Sequence, residues 1–255
     1  MNQTYMKEKK IFPLVMSMAL PMMLSMAFNS LYNIVDSYFV AKLSEDAMTA
    51  LSLVYPAQNL LTAVAVGFGV GVNAMISFYL GAQNQEKADK TATQGIVLGV
   101  LHGVLLMLLF LCGMNWFLGM FTKSDAVRAL GMEYSNVVFL FSVIVTGGIT
   151  LEKIFQAVGR MRATMVSMIA GFVTNIVLDP LLIFGIGPFP RMEIAGAALA
   201  TGIGQVITLL VYIIYYVLDP LPVKLRRTYL RPEGEICGKT YGIGIPATLN
   251  MALPS

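Results

Sequence analysis

The chain has 255 residues, of which 57% are hydrophobic and 12% charged, with a formal net charge of +3. Water-soluble domains carry about 25% charged residues, so this composition excludes an ordinary soluble globular domain. The small positive balance gives no support to a nucleic-acid partner, and two cysteines without a CxxC partner point to neither a disulfide framework nor a metal site.

Polar breaks divide the chain into six long apolar segments, at 11–41, 47–80, 91–118, 130–156, 163–186 and 194–218. Each exceeds the ~20 residues that an α-helix needs to cross a bilayer. The first follows a basic start. It is too long for a signal peptide and lacks a small-x-small cleavage site, so it is expected to be retained. It contains Pro21, then Tyr32, Asn33 and Asp36. The second carries Pro56 and the small-residue run "GFGVG" (67–71), which suits close helix approach. The third contains His102, read as a helix-packing histidine rather than a proton relay, and Cys112. The fourth is read as one span with Glu152 and Lys153 at its interfacial end.

The fifth segment contains "TNIVLDPLLIFG" (174–185), with Asn175, Asp179 and Pro180. The sixth has Gly196, Ala200 and Gly204 at four-residue spacing, with Thr201 among them. A basic linker follows at 219–240 and includes Cys237. A seventh apolar segment begins near Tyr241. The expected fold is an all-α polytopic membrane protein: a six-helix lobe at 1–218, the linker at 219–240 and the start of a second lobe at 241–255. Pro21, Pro56 and Pro246 are each expected to kink a helix.

Lysine and arginine placement sets the expected orientation. With the N-terminus inside, twelve basic residues fall on the inner side: Lys7, Lys9, Lys10, Lys87, Lys90, Arg160, Arg162, Lys224, Arg226, Arg227, Arg231 and Lys239. Four fall outside, Lys42, Lys123, Arg128 and Arg191. The N-terminus is therefore expected in the cytoplasm. Superposing 19–30 on 244–255 aligns Pro21 with Pro246, Leu24 with Leu249, Met26 with Met251, Ala27 with Ala252 and Ser30 with Ser255. Six crossings separate the two stretches, an even number, as in transporters built from two parallel repeats. The chain thus reads as one complete half and a fraction of the next.

Polar residues inside the apolar segments carry the functional expectation. At 1.5 Å per residue, Asp36 lies about 22 Å and Asp179 about 24 Å from the inner face, and Thr201 about 21 Å from it. Asn175 and Asp179 are four apart and share a helical face, as do Tyr32 and Asp36. Pro180 leaves the Ile176 carbonyl without its helical partner. Carboxylates and a freed carbonyl form an oxygen donor set suited to Na⁺ at Asp36, Asp179 and Asn175. Two close carboxylates also repel when both are ionised, which suits uptake of a proton instead. These residues leave H⁺ and Na⁺ both open. No basic residue in those spans neutralises the pair, so packing alone is a poor reason to keep it.

The stretches "LYNIVDSYFVAKLSEDAMTALSLVYP" (31–56), "YLGAQNQEKADK" (79–90), "FQAVGRMRATM" (155–165) and "NIVLDPLLIFG" with "IAGAALAT" (175–201) resemble the multidrug and toxic compound extrusion family. That resemblance implies two parallel six-helix lobes around a central cavity. It also implies export of organic cations and drugs, with antibiotic resistance as a consequence, in exchange for H⁺ or Na⁺. The family's N-terminal cation site maps onto Tyr32, Asp36, Asn175, Asp179 and Thr201. It implies no cofactor beyond the coupling ion, and as partners the lipid bilayer, drug-like cations and a second lobe. The alternatives are a flippase for lipid-linked saccharides, disfavoured by the lack of basic residues in helix cores, and a lobe that does not transport by itself. A membrane enzyme would need a nucleophile–base pair or metal cluster, which a lone His102 does not supply.

Overall fold

The computed structural model describes residues 10–253, and their regular structure is helical throughout. Lys7, Lys9 and Ser255, used above for orientation and for the repeat, lie outside the described residues, as do the outermost positions of the expected lobes. The helices are α1 (Ile11–Ala41), α2 (Glu45–Gly81), α3 (Gln85–Phe121), α4 (Asp125–Leu140), α5 (Ser142–Ala157), α6 (Met161–Phe184), α7 (Glu193–Leu218) and α8 (Gly234–Ala252). A 3-10 turn at Arg227–Tyr229 interrupts the linker.

Local chemistry explains the helix ends. The side chains of Ser44, Asn84 and Ser124 accept the backbone N–H groups of Ala47, Lys87 and Val127. Glu45, Asp46, Glu86 and Asp125 follow in the first turns, where the helix dipole favours negative charge. α6 ends on Gly185 at φ +69°, a left-handed cap that needs glycine. Helices α1, α2, α6 and α8 run through Pro21, Pro56, Pro180 and Pro246 without interruption.

Helices α1, α2, α3, α6 and α7 are each long and apolar enough to cross a membrane, but the fourth segment passes that test only as a pair, α4 with α5, bent by 47°. The fourth segment is thus a broken span of two helices rather than one straight helix. No proline causes the break. The buried Ser142 hydroxyl donates to the Phe139 carbonyl at 2.6 Å, competing with the helical ladder. Phe141 packs against Gly202 of α7, where a side chain would collide with its ring. The seventh apolar segment belongs to α8, which starts at Gly234, earlier than the apolar run near Tyr241. Its first turns alternate buried Ile236 and Thr240 with exposed Glu235 and Lys239, so helicity precedes hydrophobicity.

Helix α6 packs along α7 and carries α1 on another side, while α2 packs on α3, α5 and α8. The buried apolar side chains form two tiers. One gathers Val54, Leu61, Phe110, Met114, Tyr134, Phe139 and Ile183, and the other Phe68, Val72, Ile76, Leu98, Leu151, Phe155 and Tyr212. Gly67 and Gly71, from the small-residue run, face Thr248 and Thr240 of α8 so closely that a Cβ on either would strike that helix's backbone. His102 packs against Phe68, with ring centroids 4.7 Å apart, and its Nε2 lies 3.1 Å from the Tyr241 hydroxyl. It thus joins α3 to α8, in keeping with the reading as a packing residue.

At the α3–α8 contact, Lys87 and Lys239 approach the Glu235 carboxylate at 2.9 and 2.8 Å. Their hydrogen bonds, Lys239 first, lower its pKa from the ordinary 4.5 to about 2. Because the folded value lies below the unfolded one, the contact is fully present above pH 4.5 and is lost as pH falls toward about 2. The Glu235 side-chain carboxyl resonance should therefore titrate well below an unpaired glutamate's 4.5, at about pH 2.

Candidate functional site

The polar residues of α1, α6 and α7 meet inside the lobe. Asp36, Asn175, Asp179 and Thr201 are 7%, 2%, 0% and 9% exposed, so all four have left solvent. Asn175 Nδ2 donates to Asp179 Oδ1 one turn along α6 and to Thr201 Oγ1 across on α7, each at 3.3 Å. The first contact follows from i,i+4 spacing. The second requires α6 and α7 to lie almost backbone to backbone. Gly171 and Gly204 allow this: a Cβ at 204 would stand 2.8 Å from the Gly171 carbonyl oxygen, and one at 171 would stand 2.6 Å from that of Gly204 and collide with Thr208. Gly196 makes the same approach to Leu182 and Ile183 at the other end of α6.

Helix α1 brings Tyr32 and Asp36. Tyr32 stacks on Phe172 of α6, with centroids 5.5 Å apart and planes 7° from parallel. Asp36 is within electrostatic reach of both Asp179 and Tyr32. The structure thus brings together all five expected residues. Three buried oxygens in this set, Asp36 Oδ1, Asn175 Oδ1 and Asp179 Oδ2, have no hydrogen-bond partner. Buried acceptors are almost always satisfied, and these three lie together. Two carboxylates can take up a proton, and together with an amide oxygen and a hydroxyl they can ligate a hard monovalent cation. Among the described residues, no three His, Cys, Asp or Glu side chains converge to hold a metal.

Sequence reasoning missed two neighbours. Tyr134 of α4 is buried within electrostatic reach of Asp36, Asp179 and Tyr32, and its hydroxyl accepts from Gln58 Nε2 of α2 at 3.2 Å. A tyrosine and a glutamine inside otherwise apolar segments were the available signal.

A second buried polar cluster lies on α5. Glu152 and Lys153, near the end of that helix, are buried in the protein rather than solvated, with side chains 14% and 13% exposed. Lys153 Nζ donates to Glu152 Oε1 at 3.1 Å and to Gln156 Oε1 at 3.0 Å, and Gln156 Nε2 donates to Glu152 Oε1 at 2.7 Å. A basic side chain is therefore buried inside the lobe. It is already matched by a carboxylate, as a buried charge must be, and so is not a free cation for holding pyrophosphate.

Comparison with known proteins agrees with this architecture. The MatE family model matches residues 21–181. The multidrug export protein MepA of Staphylococcus aureus (strain NCTC 8325 / PS 47) is 31% identical over 246 residues, covering 96% of this chain and 54% of that protein. Its counterpart in Staphylococcus saprophyticus is 29% identical over the same span. Among solved structures, a MOP superfamily transporter from Pyrococcus furiosus superposes with a TM-score of 0.86 at 27% identity, covering 93% of this chain and 52% of that one. A MATE transporter in complex with MaD3S gives 0.85 at 29% identity, covering 93% and 53%. The chain spans about half the length of the relatives it matches. Sequence, helix order and superposition agree, and the chain belongs to the MatE family, the multidrug and toxic compound extrusion transporters.

Proposed function

We propose that this chain is the N-terminal lobe of a cation-coupled antiporter that exports drug-like organic cations across the cytoplasmic membrane, with its N-terminus in the cytoplasm. The observation that carries this reading is the set of three unpartnered buried oxygens on Asp36, Asn175 and Asp179. Asp36 and Asp179 bind the coupling cation, H⁺ or Na⁺. Asn175 and Thr201 orient Asp179, and Tyr32 closes the site against Phe172. One positive charge moving through 100 mV releases about 2.3 kcal/mol, and the carboxylate pair is where that energy enters. Cation binding removes the repulsion between the two carboxylates and so favours a different packing of α1 against α6, which a ligand can do only through such differential interaction. A second six-helix lobe completes the substrate path, in line with relatives about twice as long. The lysine and arginine distribution supports the orientation. The multidrug export function of the MepA proteins supports the substrate class.

Proteoliposomes holding the lobe joined to a second six-helix lobe test this reading with ethidium as substrate. Dye movement against its gradient is expected when a pH gradient or a sodium gradient is imposed. A pH gradient without sodium and a sodium gradient at equal pH identify the ion. Dye movement indifferent to both gradients would overturn the proposal.

A further inference from the structure

The linker between α7 and α8 is bound to the start of α3 along its whole length. Asp89, 2% exposed, accepts the Lys224 N–H at 2.9 Å. Gln85 Nε2 donates to Asp89 at 2.8 Å and to the Pro222 carbonyl at 2.8 Å. Thr93 Oγ1 accepts the Arg226 N–H at 3.1 Å. Gln94 donates to the Arg231 carbonyl at 3.0 Å and accepts the Glu233 N–H at 3.1 Å. Tyr216 accepts the Leu225 N–H at 3.1 Å, and Leu221 and Val223 are buried beneath the strap. Residues 85, 89 and 93 lie on one face of α3, because four residues make about one turn, and Gln94 flanks that face at its far end. A segment that reads as a polar linker is therefore ordered, with its backbone groups satisfied by side chains of the lobe.

Charge on this strap is one-sided. Its two acids are taken by cations outside it: Asp219 by Arg160, and Glu233 by Lys90 at 2.8 Å. Arg226 lies 3.5 Å from the buried Asp89 carboxylate and beside the Tyr229 ring. Lys224, Arg227 and Arg231 are exposed and have no carboxylate within ion-pair distance among the described residues. Leu230, 49% exposed, sits between them, and the preceding end of α7 exposes Val217 and Leu218 at 69% and 78%. Apolar side chains at the end of a membrane helix lie at the acyl boundary, so the cations next to them stand at headgroup level.

We propose that Lys224, Arg227 and Arg231 form a binding site for the phosphate of an anionic phospholipid headgroup, with Leu230 entering the acyl boundary. Hydrogen-bonded anchorage to α3 fixes the strap backbone before the lipid arrives, which lowers the entropy cost of binding, and arginine forks match phosphate oxygens. A basic cluster immediately beside a membrane helix attracts acidic lipid at about 1 kcal/mol per residue, or about fivefold each.

The test uses the whole protein in mixed phosphatidylcholine and phosphatidylglycerol vesicles, with each lipid spin-labelled in turn. The intact chain should prefer phosphatidylglycerol. Lys224→Gln, Arg227→Gln and Arg231→Gln should each lower that preference by up to about fivefold, and Arg227→Lys should retain most of it. Arg162→Gln, exposed outside the strap, should leave it unchanged. An undiminished preference in the triple glutamine variant would overturn the site. An equal loss with Arg162→Gln would reduce it to diffuse charge. Displacement of the labelled lipid by millimolar inorganic phosphate would make it a soluble-phosphate site instead.

Discussion

Asp179→Asn, and separately Asp36→Asn, should sharply reduce energised efflux by the two-lobe protein while leaving its level in the membrane unchanged. The substitution is nearly isosteric. An asparagine at 179 can still accept from Asn175 through its own carbonyl oxygen, so the bond across one turn of α6 survives. What disappears is the negative charge at 179, a position with no exposure to solvent. Asparagine cannot take up a proton near neutral pH, and as a ligand for Na⁺ it lacks the charge that offsets dehydration. A charged hydrogen-bonding partner contributes about 1.5–3 kcal/mol, so ethidium efflux should fall by about ten- to a hundredfold. Thermal stability should not fall in parallel. The described carboxylates here have no basic partner within ion-pair distance, and removing an uncompensated buried charge is neutral or stabilising. Lost efflux with unchanged melting temperature is the signature of a functional pair, whereas lost efflux with a lowered one would show a structural role. Normal efflux with both aspartates replaced would refute the coupling site.

Gly171→Val should have the second largest effect, on assembly as well as on transport. The position lies on the α6–α7 seam, where a Cβ would stand 2.6 Å from the Gly204 carbonyl and collide with the Thr208 hydroxyl. The obstacle at 204 is backbone, which cannot rotate away, so α6 and α7 must separate. Overpacking of this kind costs about 1–3 kcal/mol. Separation also lengthens the Asn175–Thr201 contact, already 3.3 Å, and releases the side chain that orients Asp179. The variant should melt at lower temperature in detergent and need a larger ion gradient for the same efflux. Gly113→Ala on α3 is the control: no atom lies within 4 Å of its added carbon, so it should stabilise by about 0.5–1 kcal/mol. If Gly171→Val behaved like that control, the tight seam would be refuted as the device that builds the site.

Crossing number, helix identity and the Asn175–Asp179 pair were legible from the sequence, because each depends only on residues close together in the chain. Hydropathy sums over one segment, rise per residue sets depth, and 3.6 residues per turn decides which side chains share a face. Depth alone also ranked Asp36, Asp179 and Thr201 together, since all three helices cross the same slab. Tertiary structure decided the rest. The bend between Leu140 and Ser142 needs Phe141 set against Gly202 of another helix. Glu152 and Lys153 look interfacial by position, and only the packing of Lys153 against Gly69 of α2 decides that the pair is buried and must neutralise itself. Tyr134 joins the site only because α4 delivers it beside Gln58, 76 residues earlier. Residues 222–233 have the composition of a loose basic linker, yet Asp89, Thr93 and Gln94, more than 130 residues away in the chain, hold its backbone in place. In each of these cases the deciding partner sits on a different helix. Composition and periodicity describe a helix and its own faces, whereas only packing determines which neighbour those faces meet.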